Sequence, residues 1–168
     1  AKTYTYDGKE KVFASETDLY SVENGKGTYA QIYNVILTVE DKENYKWIDG
    51  DSQDITITFE IKQATNEWEE PSISKVKWTY GEEKAEIVQG KATFGEISVK
   101  YYQGQIQIAE MPENAGEYKV VFEVLGNSNY TGLIKEITFT IEKASVSKLT
   151  AKTYTYDGKE KVFASETD

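Results

Sequence analysis

The sequence holds no cysteine, histidine or arginine among its 168 residues, and only two prolines, Pro71 and Pro112. Each gap excludes a class of chemistry. Without cysteine there is no disulfide framework, no thiolate metal site and no thiol nucleophile. Without histidine the usual general base is missing, and with it serine–histidine catalysis. Lysine supplies all 19 basic residues against 29 acidic ones, for a net charge of −10. A chain so acidic, and without bidentate arginine, disfavours nucleic acid and anionic membrane surfaces as partners. No apolar run approaches the roughly 20 residues needed to span a bilayer, and no secretory signal is recognisable. The expectation is a soluble segment; in an exported protein the signal would lie upstream of it.

What is present points to an ordered chain. Aromatic residues make up 13% of it, including 13 tyrosines. With the β-branched residues they are too frequent and too regularly spaced for a chain that builds no core. The length allows one ordinary domain or two small ones.

The most informative feature is a duplication. Residues 1–18, AKTYTYDGKEKVFASETD, recur letter for letter at 151–168, an offset of 150. Two origins account for this: a cloning artefact, or a tandem array of 150-residue period that contributes one full repeat and the start of the next. Fixed-period self-similarity marks repeat architectures, and the array is the reading taken. An older duplication lies inside the repeat. Tyr33-Asn-Val-Ile-Leu-Thr-Val39 aligns with Tyr118-Lys-Val-Val-Phe-Glu-Val124, and Asn44-Tyr45 falls on Asn129-Tyr130 at the same offset. Ile57-Thr-Phe-Glu-Ile61 matches Ile137-Thr-Phe-Thr-Ile141, and Tyr4-Thr-Tyr6 matches Trp78-Thr-Tyr80. The repeat therefore divides into modules at 1–66 and 67–144, with 145–168 a connector and the first strand or hairpin of the next copy. The first module has a longer loop, 47–54, where the second has a short turn at Gly132.

Both modules read as β. Ile55, Ile57, Phe59 and Ile61 alternate with polar residues, as do Ile137, Phe139 and Ile141, and Tyr118, Val120, Phe122 and Val124 recur at the same spacing. This is the period-2 pattern of strands with one buried face. Turn chemistry separates them at Asp7-Gly8, Asn24-Gly25, Asp49-Gly50, Gly126-Asn127 and Asn114-Ala-Gly116. The chain is expected to be all-β, as two small antiparallel sandwiches in an elongated arrangement; the alternative is small mixed sheets of β-grasp-like form.

These residues resemble a known family. WTYGEEKAEIVQGKATFGEISVKYY (78–102), MPENAGEYKVVFEV (111–124), NSNYTG (127–132) and ITFTIEKA (137–144) resemble the MBG-type bacterial Ig-like repeat. TYTYDGKEK (3–11), YNVILTVEDKENYKW (33–47) and ITITFEIKQATNEW (55–68) are similar to the sister YDG-type module. The first module departs from the pattern where the family has an Asn-Ala-Gly turn, carrying Gly25-Lys-Gly-Thr-Tyr29 instead. The resemblance implies Ig-like modules of an exported bacterial cell-surface protein, strung between a distal adhesive or enzymatic head and an anchor. It implies no catalytic, cofactor-binding or metal-binding residues.

Candidate sites are weighed on their own chemistry. Carboxylates are abundant, so counting alone does not exclude a glycosidase-like pair, but they fall at turns and on polar strand faces, and no enzyme is expected. Asp49, Asp51 and Asp54 form an oxygen-rich loop that could hold calcium weakly, without the spacing of a dedicated calcium loop. A polar hairpin loop is the expectation, and no metal or other cofactor. Trp47, Trp68 and Trp78 would serve either as a sugar-stacking platform or as core. Trp78 and Tyr80 occupy matching module positions, as core residues would; Trp68 is expected to pack between modules. A Lys–Asn isopeptide bond has its ingredients but no identifiable triplet. The sequon Asn129-Tyr130-Thr131 is expected to mark a turn. The connectors 65–74 and 145–150 should be semi-rigid. Lys and Glu on strand edges suppress strand addition by neighbouring chains. Residues 151–168 should be ordered by docking on the second module or by pairing or swapping with another molecule.

The functional expectation is a structural stalk. Neighbouring identical repeats would be the chief partners, and a host protein or glycan the partner of the alternative, in which each repeat is an adhesive module and the array supplies avidity.

Overall fold

The computed structural model describes residues 2–148 and 153–161. Among these are fifteen strands and no helix, so the chain is all-β. In the amino-terminal part the strands are β1 (Thr3–Thr5), β2 (Lys11–Val12), β3 (Tyr20–Glu23), β4 (Lys26–Gly27), β5 (Gln31–Val39) and β6 (Ile55–Lys62). Four of them form one sheet in the order β1-β6-β5-β3, and β2 pairs with β4 in a short ribbon.

The remaining strands are β7 (Trp68–Glu69), β8 (Ser72–Ile73), β9 (Lys77–Thr79), β10 (Ile87–Val88), β11 (Lys91–Ala92), β12 (Ser98–Gln103), β13 (Ile106–Ile108), β14 (Gly116–Val124) and β15 (Leu133–Glu142). Five of these form a second sheet in the order β13-β12-β14-β15-β9; β7 with β11 and β8 with β10 make two ribbons.

The two sheets share a register as well as an order. Tyr33 lies opposite Phe59 and Val35 opposite Ile57 in the first; Tyr118 lies opposite Phe139 and Val120 opposite Ile137 in the second. Tyr4 faces Ile61 as Trp78 faces Ile141. The alternating strands expected at 55–61, 118–124 and 137–142 are β6, β14 and β15. Their apolar faces meet because a register slip of one residue would turn every such side chain to solvent.

The expectation of purely antiparallel sheets fails at one pair in each. β1 runs parallel to β6, and β9 parallel to β15. The Asp7-Gly8 turn suggests a hairpin between neighbours in sequence, but β1 instead closes the open edge of a strand far along the chain. That covers backbone groups which would otherwise template another chain.

Packing is deeper in the second sheet. Trp78, Tyr118, Val120, Phe122, Val124, Phe139 and Ile141 are buried together, with Trp78 stacked on Phe139 at 5.2 Å. Burying one such side chain as fully as Phe122 contributes about 1.5–3 kcal/mol. Ribbon residues Trp68, Ile73, Ile87 and Ala92 pack against the same core. In the first sheet Val35, Leu37, Val39 and Ile61 are buried, while Ile55 and Ile57 are each 37% exposed. There Phe13 lies over the sheet, stacked on Phe59 at 5.1 Å and tilted against Tyr33 and Tyr4.

Three further expectations need correction. Residues 65–74 are not a connector: they contain β7 and β8, tied by ladders to β11 and β10. Trp68 accordingly lies opposite Ala92 and packs on the second core. Tyr80 is 54% exposed, because it lies just past the end of β9. As for the recurring segment, residues 153–161 contain no strand; the rest of the expectation for 151–168 falls on residues outside those described.

Candidate functional site

Among the described residues no constellation of reactive side chains emerges, and the most elaborate polar site is a joint. The loop between β14 and β15 meets the end of the first sheet where β6 terminates. Two close approaches shape this loop. A Cβ on Gly126 would lie 2.6 Å from Gly132 N, and one on Gly132 would lie 2.9 Å from Val124 O, so side chains are excluded at both positions. Asn127 then folds the turn: its Oδ1 accepts from the N–H groups of Asn129 and Tyr130, both at 2.8 Å, and its own N–H donates to Tyr130 O at 3.0 Å. This is the local side chain–backbone bonding that makes Asn a turn residue.

The turn presents Asn129 and Tyr130 to the first sheet. Asn129 O accepts from Ala64 N at 2.8 Å, and Thr131 N donates to Ala64 O at 3.0 Å, so that Ala64 and Tyr130 form a parallel bridge. Asn129 Oδ1 accepts from Ala30 N at 2.9 Å, and Gln63 Nε2 donates to Asn127 O at 2.6 Å. The Tyr130 ring stacks on Phe94 at 4.7 Å and meets Tyr6 edge-on at 5.4 Å. An open cleft of about 520 Å³ runs beside the joint, lined among others by Ile32, Glu60, Lys62 and Ser128.

Asn66 holds the chain on the second side. It is 2% exposed and is the buried polar residue among those described. Its Oδ1 accepts from Glu67 N and Phe94 N, both at 3.0 Å; its Nδ2 donates to Phe94 O at 2.8 Å; its N–H donates to Thr131 Oγ1 at 3.1 Å. Fully satisfied buried amides fix geometry, because breaking one such bond leaves a desolvated group unpaired.

The residues singled out from sequence lie elsewhere, with one exception. Asp54 pairs with Lys42 at 2.8 Å, and that ammonium holds its carboxyl below the ordinary 3.8. Asp51 Oδ1 accepts from Gln53 N, and Trp47 Nε1 donates to Gln53 O at 2.7 Å. These bonds build the 47–54 loop from within, and no group of three His, Cys, Asp or Glu suited to a metal occurs among the described residues. Trp47 tilts against Tyr20 at 5.8 Å, while Trp78 is 5% exposed in the second core. The three tryptophans form no common platform. The exception is the sequon: Asn129-Tyr130-Thr131 is the turn expected, and it is also the clamp of the joint. The one available signal is an Asn-Tyr pair recurring at the same offset in both halves; that it faces another sheet is not readable from it.

The local turn of the recurring segment appears twice. Asp7 Oδ1 accepts from Lys9 N at 2.9 Å and its Oδ2 pairs with Lys11 at 2.6 Å, around Gly8 at φ 76°. Asp157, Lys159, Lys161 and Gly158 at φ 75° repeat it. In each case the lysine four residues on holds the aspartate below its ordinary value.

A scan against protein-family models and a search of curated proteins each find no match for this chain.

Proposed function

We propose that the chain is one repeat, with the start of the next, of a structural stalk on the outside of a bacterial cell. In this reading the two sheets belong to Ig-like sandwich modules of YDG and MBG type. Sheet order supports that assignment: β14 takes the place of strand F, flanked by β15 as G and by β12 as C, with β13 as C′. A tyrosine whose hydroxyl bonds back to the backbone upstream marks strand F of such folds. Tyr118 donates to Asn114 O at 2.9 Å, and Tyr33 to Tyr29 O at 2.9 Å. Gly27 makes room for the Tyr33 ring, which would lie 2.2 Å from a Cβ there.

The observation that carries the mechanical reading is the joint. Five hydrogen bonds and the edge-on contact of Tyr130 with Tyr6 tie the ends of the two sheets, which a spacer needs and an independent binding domain does not. Repetition of 1–18 at 151–168 makes the unit one of a series. Units that contact only their neighbours extend reach in proportion to their number. With strands of about 3.3 Å per residue, two modules end to end add on the order of 60–80 Å per repeat.

Contour length measured by force microscopy on chains of one to four repeats tests this. Linear growth by that increment supports a stalk. Compact particles whose length lags behind repeat number contradict it, and binding to glycan or matrix-protein arrays that rises steeply with copy number favours the adhesive reading instead.

A further inference from the structure

The far end of the second sheet reproduces the end of the first that forms the joint. Tyr80 N donates to Glu142 O at 2.8 Å, as Tyr6 N donates to Lys62 O at 2.9 Å. Counting from these matched bonds, Tyr80 stands where Tyr6 stands, Ala144 where Ala64 stands, and Lys143 where Gln63 stands. Gly116 lies opposite Ile141 as Gln31 lies opposite Ile61, which places Ala115 where Ala30 is. In the joint, the first-sheet members of this set are engaged. Their counterparts are not: Tyr80 is 54% exposed, Ala144 is exposed, and the N–H groups of Ala115 and Ala144 have no hydrogen-bond acceptor among the described residues.

The matching half of the contact is also present, at the opposite end of the first sheet. Asn44-Tyr45 sits in the loop between β5 and β6 as Asn129-Tyr130 sits between β14 and β15. Asp41 folds this turn as Asn127 folds the other: its Oδ1 accepts from Asn44 N at 3.1 Å, its Oδ2 from Asn44 Nδ2 at 2.7 Å, and its carbonyl from Tyr45 N at 2.9 Å. That leaves Asn44 Oδ1 free among the described residues to accept a bond, and Tyr45 is 50% exposed.

We propose that Tyr80, Ala115, Lys143 and Ala144 form the seat for the Asn44-Tyr45 turn of a second copy of this chain, the one that follows in the array. The inference rests on the tandem reading above. Ala115 N–H donates to Asn44 Oδ1, Ala144 N–H to Asn44 O, and Lys46 N–H to Ala144 O, while the Tyr45 ring meets Tyr80 edge-on. This second joint is softer than the first. The position of Asn66 is taken by Val146, which is 90% exposed and has no side-chain hydrogen bonds to offer. The array therefore alternates a stiff joint with a more compliant one.

The experiment compares this chain with one carrying two complete consecutive copies of residues 1–150, with only the first copy isotopically labelled. Amide exchange at Ala115 and Ala144 of that copy should slow roughly tenfold, since one net hydrogen bond corresponds to about that factor. Ring contacts between Tyr80 and Tyr45 should appear by nuclear Overhauser spectroscopy. Tyr45→Ala in the second copy, or Tyr80→Ala in the first, should return the rates to those of the single chain; both residues are exposed, so neither change threatens folding. Unchanged exchange and no Tyr80–Tyr45 contact, with both copies folded, overturns the proposal. The tandem reading stands or falls separately, on whether the parent polypeptide contains another copy after residue 168.

Discussion

Residues 3–11 and 153–161 have one sequence and two structures. In both, the Asp-Gly turn, its lysine ion pair and its depressed aspartate are the same. Of these two stretches only the first forms a strand, paired with β6. Tyr6 packs edge-on against Tyr130, whereas its twin Tyr156 is 92% exposed. The difference separates what nearest neighbours dictate from what distant chain supplies: turn chemistry is local, and an edge strand exists only through its partner.

The comparison can be broken most forcefully at that partner. Ile61, which faces Tyr4 across β6 and β1 and is 1% exposed, should cost about 2–5 kcal/mol when replaced by alanine. Urea unfolding of Ile61→Ala should show that loss, and amide exchange at Tyr6 should rise toward that of Tyr156. A loss below about 1 kcal/mol would mean that β1 is held by something other than this contact.

Next in size is the aromatic contact. Tyr6→Ala should destabilise the first sheet by about 1–2 kcal/mol, read from the thermal midpoint, whereas Tyr156→Ala should leave it unchanged. Equal effects from the two would erase the distinction drawn between the copies.

Glycine at the turn comes third. Both Gly8 and Gly158 have positive φ, with open space where a Cβ would stand, so alanine meets backbone strain alone, about 1 kcal/mol. Gly8→Ala should lower the unfolding midpoint accordingly. Gly158→Ala should alter only the chemical shifts of its own turn.

The smallest effect is on titration. Asp7 and Asp157 should both titrate below 3.8 by carbon-detected nuclear magnetic resonance, each held down chiefly by its hydrogen bond from the lysine four residues on. A carboxylate whose folded pKa is depressed adds stability above its unfolded value and loses it as pH falls through the folded one. Asp7 therefore contributes at neutral pH and ceases to as pH drops from 3.8 downward. Asp157, held down by the same hydrogen bond, should titrate alike. Separate titration curves would show that the turn is not set locally.

What is legible in the sequence follows the same division. β6, β14 and β15 announce themselves through alternation, and β5 through its internal alignment with β14. The Asp7-Gly8 turn is readable because glycine is the residue most at ease at its φ of 76°. The parallel pairing of β1 and β9 is not, since its partner lies far along the chain and no local signal names it. Residues 65–74 read as a connector because strands of two residues are too short to show a period. The joint is half legible: Asn129-Tyr130 stands out as a recurring turn, but a polar turn bonding into another sheet looks in sequence like one bonding to water. Asn66 shows no signal at all, as one polar residue acquires meaning only from the carbonyl and amides that surround it.

The account's central claim is that residues 151–168 begin a second unit identical to the first. The most direct measurement follows the chain with a second copy of residues 19–66 and records amide exchange and backbone shifts at Thr153–Thr155. The result expected is strand shifts and protection equal to those at Thr3–Thr5. If those residues keep their present values while the added strands fold, the claim is contradicted.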